Sequence, residues 1–182
     1  MPSKTLKCFP PFIDAHSKVL ILGTMPGPTA LAKQEYYGFA GNHFWKIMFD
    51  FLGRRGGSCA RPVKKAATRA APTYAEKIRL LKQNGIALWD VFAACERKSA
   101  LDQHIENAEL NPIPELLEEY PNIKTILLNS RTAEKIFRKH FEAVAVPSYY
   151  MPSTSPANAG LSYEKKYQIW VQALTNALRK KH

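Results

Sequence analysis

The chain is poor in cysteine and has no long hydrophobic run. Its 182 residues include three cysteines, Cys8, Cys59 and Cys95, and no two of them form a C-x-x-C pair. A disulfide framework and a cysteine zinc site are therefore not predicted, and the thiols are expected to be reduced. No run of 18 apolar residues could cross a membrane, and the first residues lack the apolar core of a signal peptide. We therefore expect a cytoplasmic protein without a membrane partner.

Three motifs of nucleotide-binding and hydrolytic enzymes are also missing. The chain has no G-x-x-x-x-G-K-[ST] loop, no G-x-G-x-x-G turn and no G-x-S-x-G turn. These absences argue against a P-loop NTPase, a dinucleotide-binding enzyme and an α/β-hydrolase. The five histidines are scattered along the chain and do not indicate a metal site. We expect the protein to need neither a metal nor a cofactor.

Acidic residues are few compared with basic residues. The chain has 15 Asp and Glu against 26 Lys and Arg, a formal net charge of +11. A compact domain this basic attracts polyanions, of which nucleic acid is the usual one, although a general solubility charge is the alternative. Residues 54–72 contain six Lys or Arg and no acid. They predict a flexible basic loop that either tracks phosphates or is a solvated insertion.

Apolar runs alternate with helical patterns along the rest of the chain. Four runs have the length of buried strands: 18–23, 85–91, 123–129 and 143–153. Apolar residues three and four positions apart predict helices over 43–53, 73–85, 130–141 and 162–181. Strands that alternate with helices favour a mostly parallel sheet covered on both faces. The length suits one domain spanning residues 1–182.

Turn-forming or polar residues follow each predicted strand. The four segments are 24–27, 89–90, 129–130 and 152–160. In an open parallel sheet, ligands bind beyond the carboxyl ends of the strands. The first and last segments are Gly, Pro and Ser turns that expose backbone N–H groups, which suit phosphates. The sequence therefore predicts a binding site at this edge of the sheet.

Five segments together give the chain a resemblance to a known family. They are LGTMPG (22–27), YYGFAGNHFW (36–45), GIALWDV (85–91), LLNS (127–130) and PSTSPANA (152–159). In this order they resemble the uracil-DNA glycosylase superfamily, and within it the hypoxanthine (deoxyinosine) DNA glycosylase branch. The resemblance covers about residues 17–178. It implies a three-layer α/β/α sandwich with a four-stranded parallel central sheet, in agreement with the four strands predicted above.

The resemblance also implies a catalytic role for Asn42. Many members of the superfamily place Asp or Asn in the first turn to position or activate water, but Met25 stands there in this chain. In the deoxyinosine branch the catalytic asparagine belongs to the following segment, where Asn42 is the matching residue. Asn42 precedes a predicted helix, so a helix cap is the alternative. Thr24 is the second candidate for holding water, and Gly23 and Met25 would form a wall of the base pocket.

Aromatic and amide side chains are expected to bind the base. A base inside a duplex must be flipped out to be reached, and Tyr37 matches the aromatic that stacks on it in mismatch-specific relatives. Tyr36 and Phe39 are neighbouring candidates, and core packing is the alternative for all three. Asn129 ends the third predicted strand and would bond a base edge, as the resemblance also implies. A simple turn is the alternative there.

Residues 152–160 are expected to contact the DNA backbone, with a linker turn as the alternative. The candidates for holding phosphates beside the lesion are Ser153, Thr154 and Ser155. The candidates for filling the gap left by the flipped base are Asn158, Ala159 and Leu161. Trp89 and Asp90 are expected to be structural.

The resemblance implies a monofunctional DNA glycosylase of base excision repair. Such an enzyme hydrolyses the N-glycosidic bond of a deaminated base in DNA, and we expect it to act as a monomer. Met151 stands where many uracil enzymes have a base-polarising histidine, so hypoxanthine is expected to be favoured over uracil. The alternatives are an inactive nucleic-acid-binding module of the same fold and a glycosylase acting mainly on uracil or mismatches.

Overall fold

The computed structural model describes residues 5–55, 71–97 and 104–179, so most of the predicted basic loop at 54–72 lies outside the described residues. The strands are β1 (Leu6–Lys7), β2 (Val19–Gly23), β3 (Ile86–Asp90), β4 (Phe92–Arg97), β5 (Ile105–Leu110), β6 (Thr125–Leu128) and β7 (Ser148–Tyr150). The helices are α1 (Pro28–Lys33), α2 (Phe44–Arg55), α3 (Tyr74–Gln83), α4 (Ile113–Glu119), α5 (Arg131–His140) and α6 (Tyr163–Arg179).

Four parallel strands form the central sheet, in the order β3-β2-β6-β7. The prediction of a four-stranded parallel sheet is confirmed. The fourth strand is shorter than expected, because only Ser148–Tyr150 of the run 143–153 pairs with β6. Pro147 and Pro152 flank it, and proline has no N–H group to donate to a ladder.

The side chains of the central strand β2 pack against helices on both faces of the sheet, which gives the fold its three layers. Val19 and Ile21 pack into one core with α2, α3 and α6, whereas Leu20 and Leu22 pack into the other core with α4 and α5. All four side chains are fully buried. Side chains alternate between the faces of a strand, so an unbroken apolar run is what a sheet covered on both faces requires.

The predicted helices are present and carry the expected end signals. Thr73 and Glu76 form the predicted capping box at the start of α3. Gly85, with φ of +67°, follows the end of α3 and leads into β3, and this left-handed conformation is one that glycine adopts without strain. Ser130 caps α5 by accepting a hydrogen bond from the Ala133 N–H at 2.9 Å. Within the described ranges, no helix is long and apolar enough to cross a bilayer.

A second sheet was not predicted. It has three antiparallel strands in the order β1-β4-β5. Five of the six residues of β5 are exposed, so the strand lacks the alternation of apolar and polar residues from which half-buried strands are recognised. The short helices α1 and α4 were also not predicted, because each begins at or beside a proline and has too few turns for a helical pattern.

Candidate active site

A cavity of about 460 Å³ lies at the carboxyl ends of β2, β3 and β6. This volume is within the usual range for small-molecule sites. It is lined by nearly all of the residues predicted for the site: Gly23, Thr24, Met25, Tyr37, Asn42, Asn129, Ser153, Thr154 and Ser155. The three candidates for filling the gap left by the base, Asn158, Ala159 and Leu161, do not line it. The cavity therefore lies at the edge of the sheet where the sequence predicted a binding site, because parallel strands bring their carboxyl ends to one edge.

The first turn is tied to the neighbouring strand end. Thr24 is 5 % exposed, and its Oγ1 lies 3.0 Å from the Ser130 Oγ in a hydroxyl pair. Met25 is almost as buried and forms an apolar wall of the cavity. The Arg97 guanidinium donates to the Pro26 carbonyl at 2.7 Å and so links β4 to the turn. The turn thus offers one side-chain hydroxyl, that of Thr24, and it is already shared with Ser130.

Asn42 makes the contact expected of a helix-capping residue. Its Oδ1 accepts a hydrogen bond from the Phe44 N–H, the first helical residue of α2, at 2.9 Å. The side chain is half-buried and lines the cavity. A carbonyl oxygen has two lone pairs, so one can hold the helix start while the other faces a water. The capping contact is therefore present, and it leaves room for the predicted catalytic role.

Tyr37 is held in an unusual conformation with its ring against Phe44. Its φ is +54°, a left-handed value that costs a non-glycine residue roughly 1–2 kcal/mol. The two rings stack with centroids 3.8 Å apart and planes inclined by 19°. The Tyr37 hydroxyl is buried and lacks a well-formed hydrogen bond to any described residue. Burial raises the pKa of this hydroxyl, the Asp90 carboxylate adds to the rise, and Asn129 acts in the opposite sense.

Gly23 and Asp90 face each other across β2 and β3 at the floor of the cavity. They are directly paired in the parallel register. A Cβ placed on Gly23 would collide with the Asp90 carboxylate and would lie 3.5 Å from the Tyr37 hydroxyl. Asp90 is 5 % exposed and lines the cavity. Asp90 was expected to be structural, and it lies in the cavity wall at the carboxyl end of β3, an edge strand of the central sheet.

Asn129 and Thr154 join the end of β6 to the segment that follows β7. The Asn129 Nδ2 donates to the Thr154 Oγ1 at 3.1 Å, and the Thr154 N–H donates to the Asn129 Oδ1 at 3.0 Å. Thr154 is fully buried, so its hydroxyl cannot reach a phosphate in this arrangement. The predicted phosphate contact is therefore left to Ser153 and Ser155, which are half-buried.

The loop over residues 152–160 is ordered by its own short hydrogen bonds. The Ser153 and Ser155 hydroxyls accept from the N–H groups of Ser155 and Ala157, both at 3.2 Å, and each keeps its own proton for another acceptor. The Asn158 Nδ2 donates to the Ser153 carbonyl at 3.2 Å. Lys166 of α6, 1 % exposed, donates to the Ser155 carbonyl from beneath the loop at 3.2 Å.

Other predicted residues lie at the border of the site or away from it. Met151 is 1 % exposed and packs in the core beside α6. Phe39 and Tyr36 both line the cavity. Phe39 is 49 % exposed, whereas Tyr36 is buried and its hydroxyl donates to the Pro10 carbonyl. Ala159 is exposed and Leu161 is half-buried. Among residues 5–55, 71–97 and 104–179, no group of three His, Cys, Asp or Glu side chains could hold a metal ion.

Comparison with known proteins gives one consistent result. A family model described as the uracil DNA glycosylase superfamily matches residues 10–179. A protein of Methanosarcina barkeri named hypoxanthine DNA glycosylase is 31 % identical over 165 residues, which cover 91 % of this chain and 95 % of the relative. Its namesake in Methanosarcina acetivorans is 31 % identical over 158 residues, covering 87 % and 91 %.

The structural comparison agrees with the sequence matches. The solution NMR structure of a Methanosarcina acetivorans protein, assigned as a candidate uracil DNA glycosylase, has a TM-score of 0.76 at 28 % identity. The match covers 96 % of this chain and 99 % of that one. The family resemblance and the three-layer α/β/α fold expected from it are thus confirmed. The chain belongs to the uracil DNA glycosylase superfamily.

Proposed function

We propose that this protein is a monofunctional DNA glycosylase that flips a deaminated base out of DNA and hydrolyses its N-glycosidic bond, with hypoxanthine preferred over uracil. The observation that carries the proposal is the cavity itself. It gathers two amide side chains, Asn42 and Asn129, and the stacked ring of Tyr37 around a space of about 460 Å³. The two relatives named hypoxanthine DNA glycosylase support the choice of base.

The flipped base would stack on Tyr37. One face of this ring is covered by Phe44, which is fully buried, while Tyr37 itself lines the cavity. The opposite face is therefore the one available to a base. Glycosylases need such a surface, because an extruded base loses its stacking partners in the duplex.

The chemistry would divide between the two amides. Cleavage of the N-glycosidic bond leaves positive charge on the deoxyribose and negative charge on the departing base. The free lone pair of the Asn42 Oδ1 would hold the attacking water, with the Thr24 hydroxyl as a second candidate. The Asn129 Nδ2 would donate to a carbonyl of the base and stabilise the charge that develops there, as a fixed donor in a dry pocket does effectively.

The DNA backbone would lie along the loop after β7. The hydroxyls of Ser153 and Ser155 each retain a proton to donate to a phosphate, and the net charge of +11 favours DNA. Phe39 is better placed than Asn158 to enter the gap left by the base, because it lines the mouth of the cavity and is half-exposed. Apolar side chains inserted between base steps are a common device of DNA-deforming proteins.

The preference for hypoxanthine over uracil rests on Met151. This residue takes the position of a base-polarising histidine in many uracil enzymes, and here it is buried in the core beside α6. A thioether is at most a weak hydrogen-bond acceptor and donates no proton, so it cannot polarise a uracil carbonyl. The two alternatives are an inactive DNA-binding module and a glycosylase acting mainly on uracil or mismatches.

One assay distinguishes these possibilities. The protein is incubated in excess with duplex oligonucleotides that contain a single hypoxanthine, xanthine, uracil or T:G mismatch, and abasic sites are then cleaved with alkali. We expect the fastest cleavage with hypoxanthine and a slower reaction with uracil. Binding without cleavage of any substrate would show an inactive module, and faster release of uracil than of hypoxanthine would reverse the proposed preference.

A further inference from the structure

We propose that Ser130 is a positioning residue that turns the hydroxyl proton of Thr24 into the cavity, where this proton stabilises the departing base. The proposal rests on the proposed glycosylase function and deepens it, because it names a donor for the charge that develops on the base. Thr24 follows β2 directly and Ser130 lies two positions after β6. These strands are neighbours in the sheet, and both residues line the cavity.

The first step of the argument counts the hydrogen bonds of the two hydroxyls. The Thr24 Oγ1 and the Ser130 Oγ lie 3.0 Å apart, and the Ser130 Oγ also accepts from the Ala133 N–H at 2.9 Å. Within the part of the chain that the structure describes, the two hydroxyls make no other hydrogen bond. Each hydroxyl carries one proton. One proton therefore lies between the two oxygens, and the other is left without an acceptor in that part of the protein.

The second step concerns which hydroxyl donates to the other. Ser130 is the N-cap of α5, a helix of 10 residues, and the N-terminus of a helix carries partial positive charge. This charge favours a Ser130 hydroxyl with its oxygen toward the helix and its proton away from it, toward Thr24. A hydroxyl that accepts one hydrogen bond also becomes a stronger donor in the next. The chain of hydrogen bonds then runs from Ala133 through Ser130 to Thr24, and the remaining proton belongs to Thr24.

The third step asks which part of the substrate this proton would stabilise. Thr24 is only 5 % exposed, so water competes little for its hydroxyl. Cleavage leaves positive charge on the deoxyribose, which a donor would oppose, and the attacking water needs an acceptor, for which Asn42 is proposed. The departing base gains negative charge, so an acceptor atom of the base is the productive partner. A fixed donor in a dry pocket stabilises such a charge effectively.

Two variants of nearly equal size separate the helix cap from the orientation of the proton. Asn and Asp are both among the best N-cap residues, so Ser130→Asn and Ser130→Asp should both preserve the start of α5. The amide can still donate to Thr24, whereas an ionised carboxylate can only accept and draws the Thr24 proton away from the cavity. In single-turnover excision of hypoxanthine at mildly alkaline pH, the Asp variant should be about tenfold or more slower than the Asn variant. Melting temperatures measured beside the rates report whether both are folded.

Variants of Thr24 test the donor directly and carry the test if the Ser130 variants fold poorly. Thr24→Val removes the proton at nearly constant shape and should slow excision at saturating protein by about tenfold or more, whereas Thr24→Ser should stay within about threefold of the wild type. The dissociation constant for hypoxanthine DNA should change little in Thr24→Val, because the charge on the base appears only as the bond breaks. Thr125→Val is the matched control, since Thr125 is a buried threonine on β6 outside this cavity.

A double variant tests whether Ser130 acts through Thr24. Ser130→Asp should cost little further rate when Thr24 is already valine, whereas independent effects multiply. A wild-type protein that releases no hypoxanthine contradicts the glycosylase proposal. In an active wild type, the role given to the hydroxyl pair is contradicted by equal rates for Ser130→Asn and Ser130→Asp, by a wild-type rate for Thr24→Val, or by losses that multiply in the double variant.

Discussion

The ring of Tyr37 lies on the ring of Phe44 at a centroid distance of 3.8 Å, and its other face is the proposed stacking surface for a base. Base stacking on an aromatic side chain contributes about 1–3 kcal/mol. We therefore predict that Tyr37→Leu slows hypoxanthine release by roughly 5- to 150-fold in single-turnover assays. Tyr37→Phe keeps the ring and should remain near the wild-type rate. Equal rates for the Leu variant and the wild type would show that Tyr37 is only a core aromatic.

Asn42→Ala should lose most base excision while it still binds lesion DNA. A group that positions or activates water contributes about 10²–10⁴ in rate, whereas a lost helix cap costs only about 1 kcal/mol of stability. Thr73→Ala is the matched control, because it removes the documented cap of α3. Both variants should melt at a lower temperature, and only Asn42→Ala should lose activity at a temperature where both are folded.

The same measurements show whether Asn42 is only a helix cap. If Asn42→Ala melts earlier but cleaves within about threefold of the wild type, the side chain serves only as a cap. Thr24→Ala is measured beside it. A larger loss in Thr24→Ala would place the water at the hydroxyl shared by Thr24 and Ser130, which lies in the first turn.

Gly23→Ala should destabilise the fold, because its Cβ would collide with the Asp90 carboxylate. Overpacking of this kind costs typically about 1–3 kcal/mol. Gly27→Ala provides the comparison, since a Cβ there meets no atom within 4 Å. Chemical denaturation gives the free energy of unfolding of both variants. Equal free energies of unfolding would mean that the Asp90 carboxylate can move away from β2 at little cost.

Phe39→Ala should slow excision from duplex DNA more than from single strands. Phe39 is half-exposed at the mouth of the cavity, and a wedge is needed only where a base must be displaced from a stack. Ile169→Ala, an exposed apolar residue on α6, should leave both rates unchanged. Equal losses on duplex and single-stranded substrates would give Phe39 a role in the pocket and not in the duplex.

DNA binding should weaken steeply with salt. Each phosphate neutralised by a cation contributes roughly −0.9 to the slope of log K against log salt, and a net charge of +11 implies several such contacts. Fluorescence anisotropy between low and physiological ionic strength measures the slope. A variant lacking residues 61–71 should show a shallower slope if the basic segment tracks phosphates. Unchanged affinity in that variant would make the segment a solvated insertion.

The sequence predicted the central sheet because its strands are buried on both faces. The runs around Leu20 and Ile126 are short, mainly apolar and followed by turn-forming residues, which is typical of strands covered on both faces. The strand ends then located the cavity. The second sheet escaped prediction because β5 is almost wholly exposed and lacks an apolar alternation, and because β4 also pairs with the distant strand β1, a contact that local propensity does not record.

The sequence predicted which residues form the site better than it predicted the contacts between them. Asn129 and Thr154 were both assigned to it, yet nothing in the sequence indicates that the two side chains bond to each other. Such pairs depend on how a loop returns over the sheet, and 25 positions separate these partners. Asp90 was placed correctly at a strand end, but its approach to Gly23 follows from the register of two strands, which apolar patterns leave open.

Folding fixes the amine of the buried Lys166 beneath the loop over residues 152–160. Its ammonium lies beneath the Ser155 carbonyl and is 1 % exposed, so burial lowers its pKa while the loop hydrogen bond holds it in place. A lysine on the surface must lose side-chain freedom when it meets a phosphate, and this ordering weakens association. Lys166 has already lost that freedom in the unbound protein. Under the proposed function, the loop would meet DNA with this cation already in place beneath it, without a rearrangement at the moment of contact.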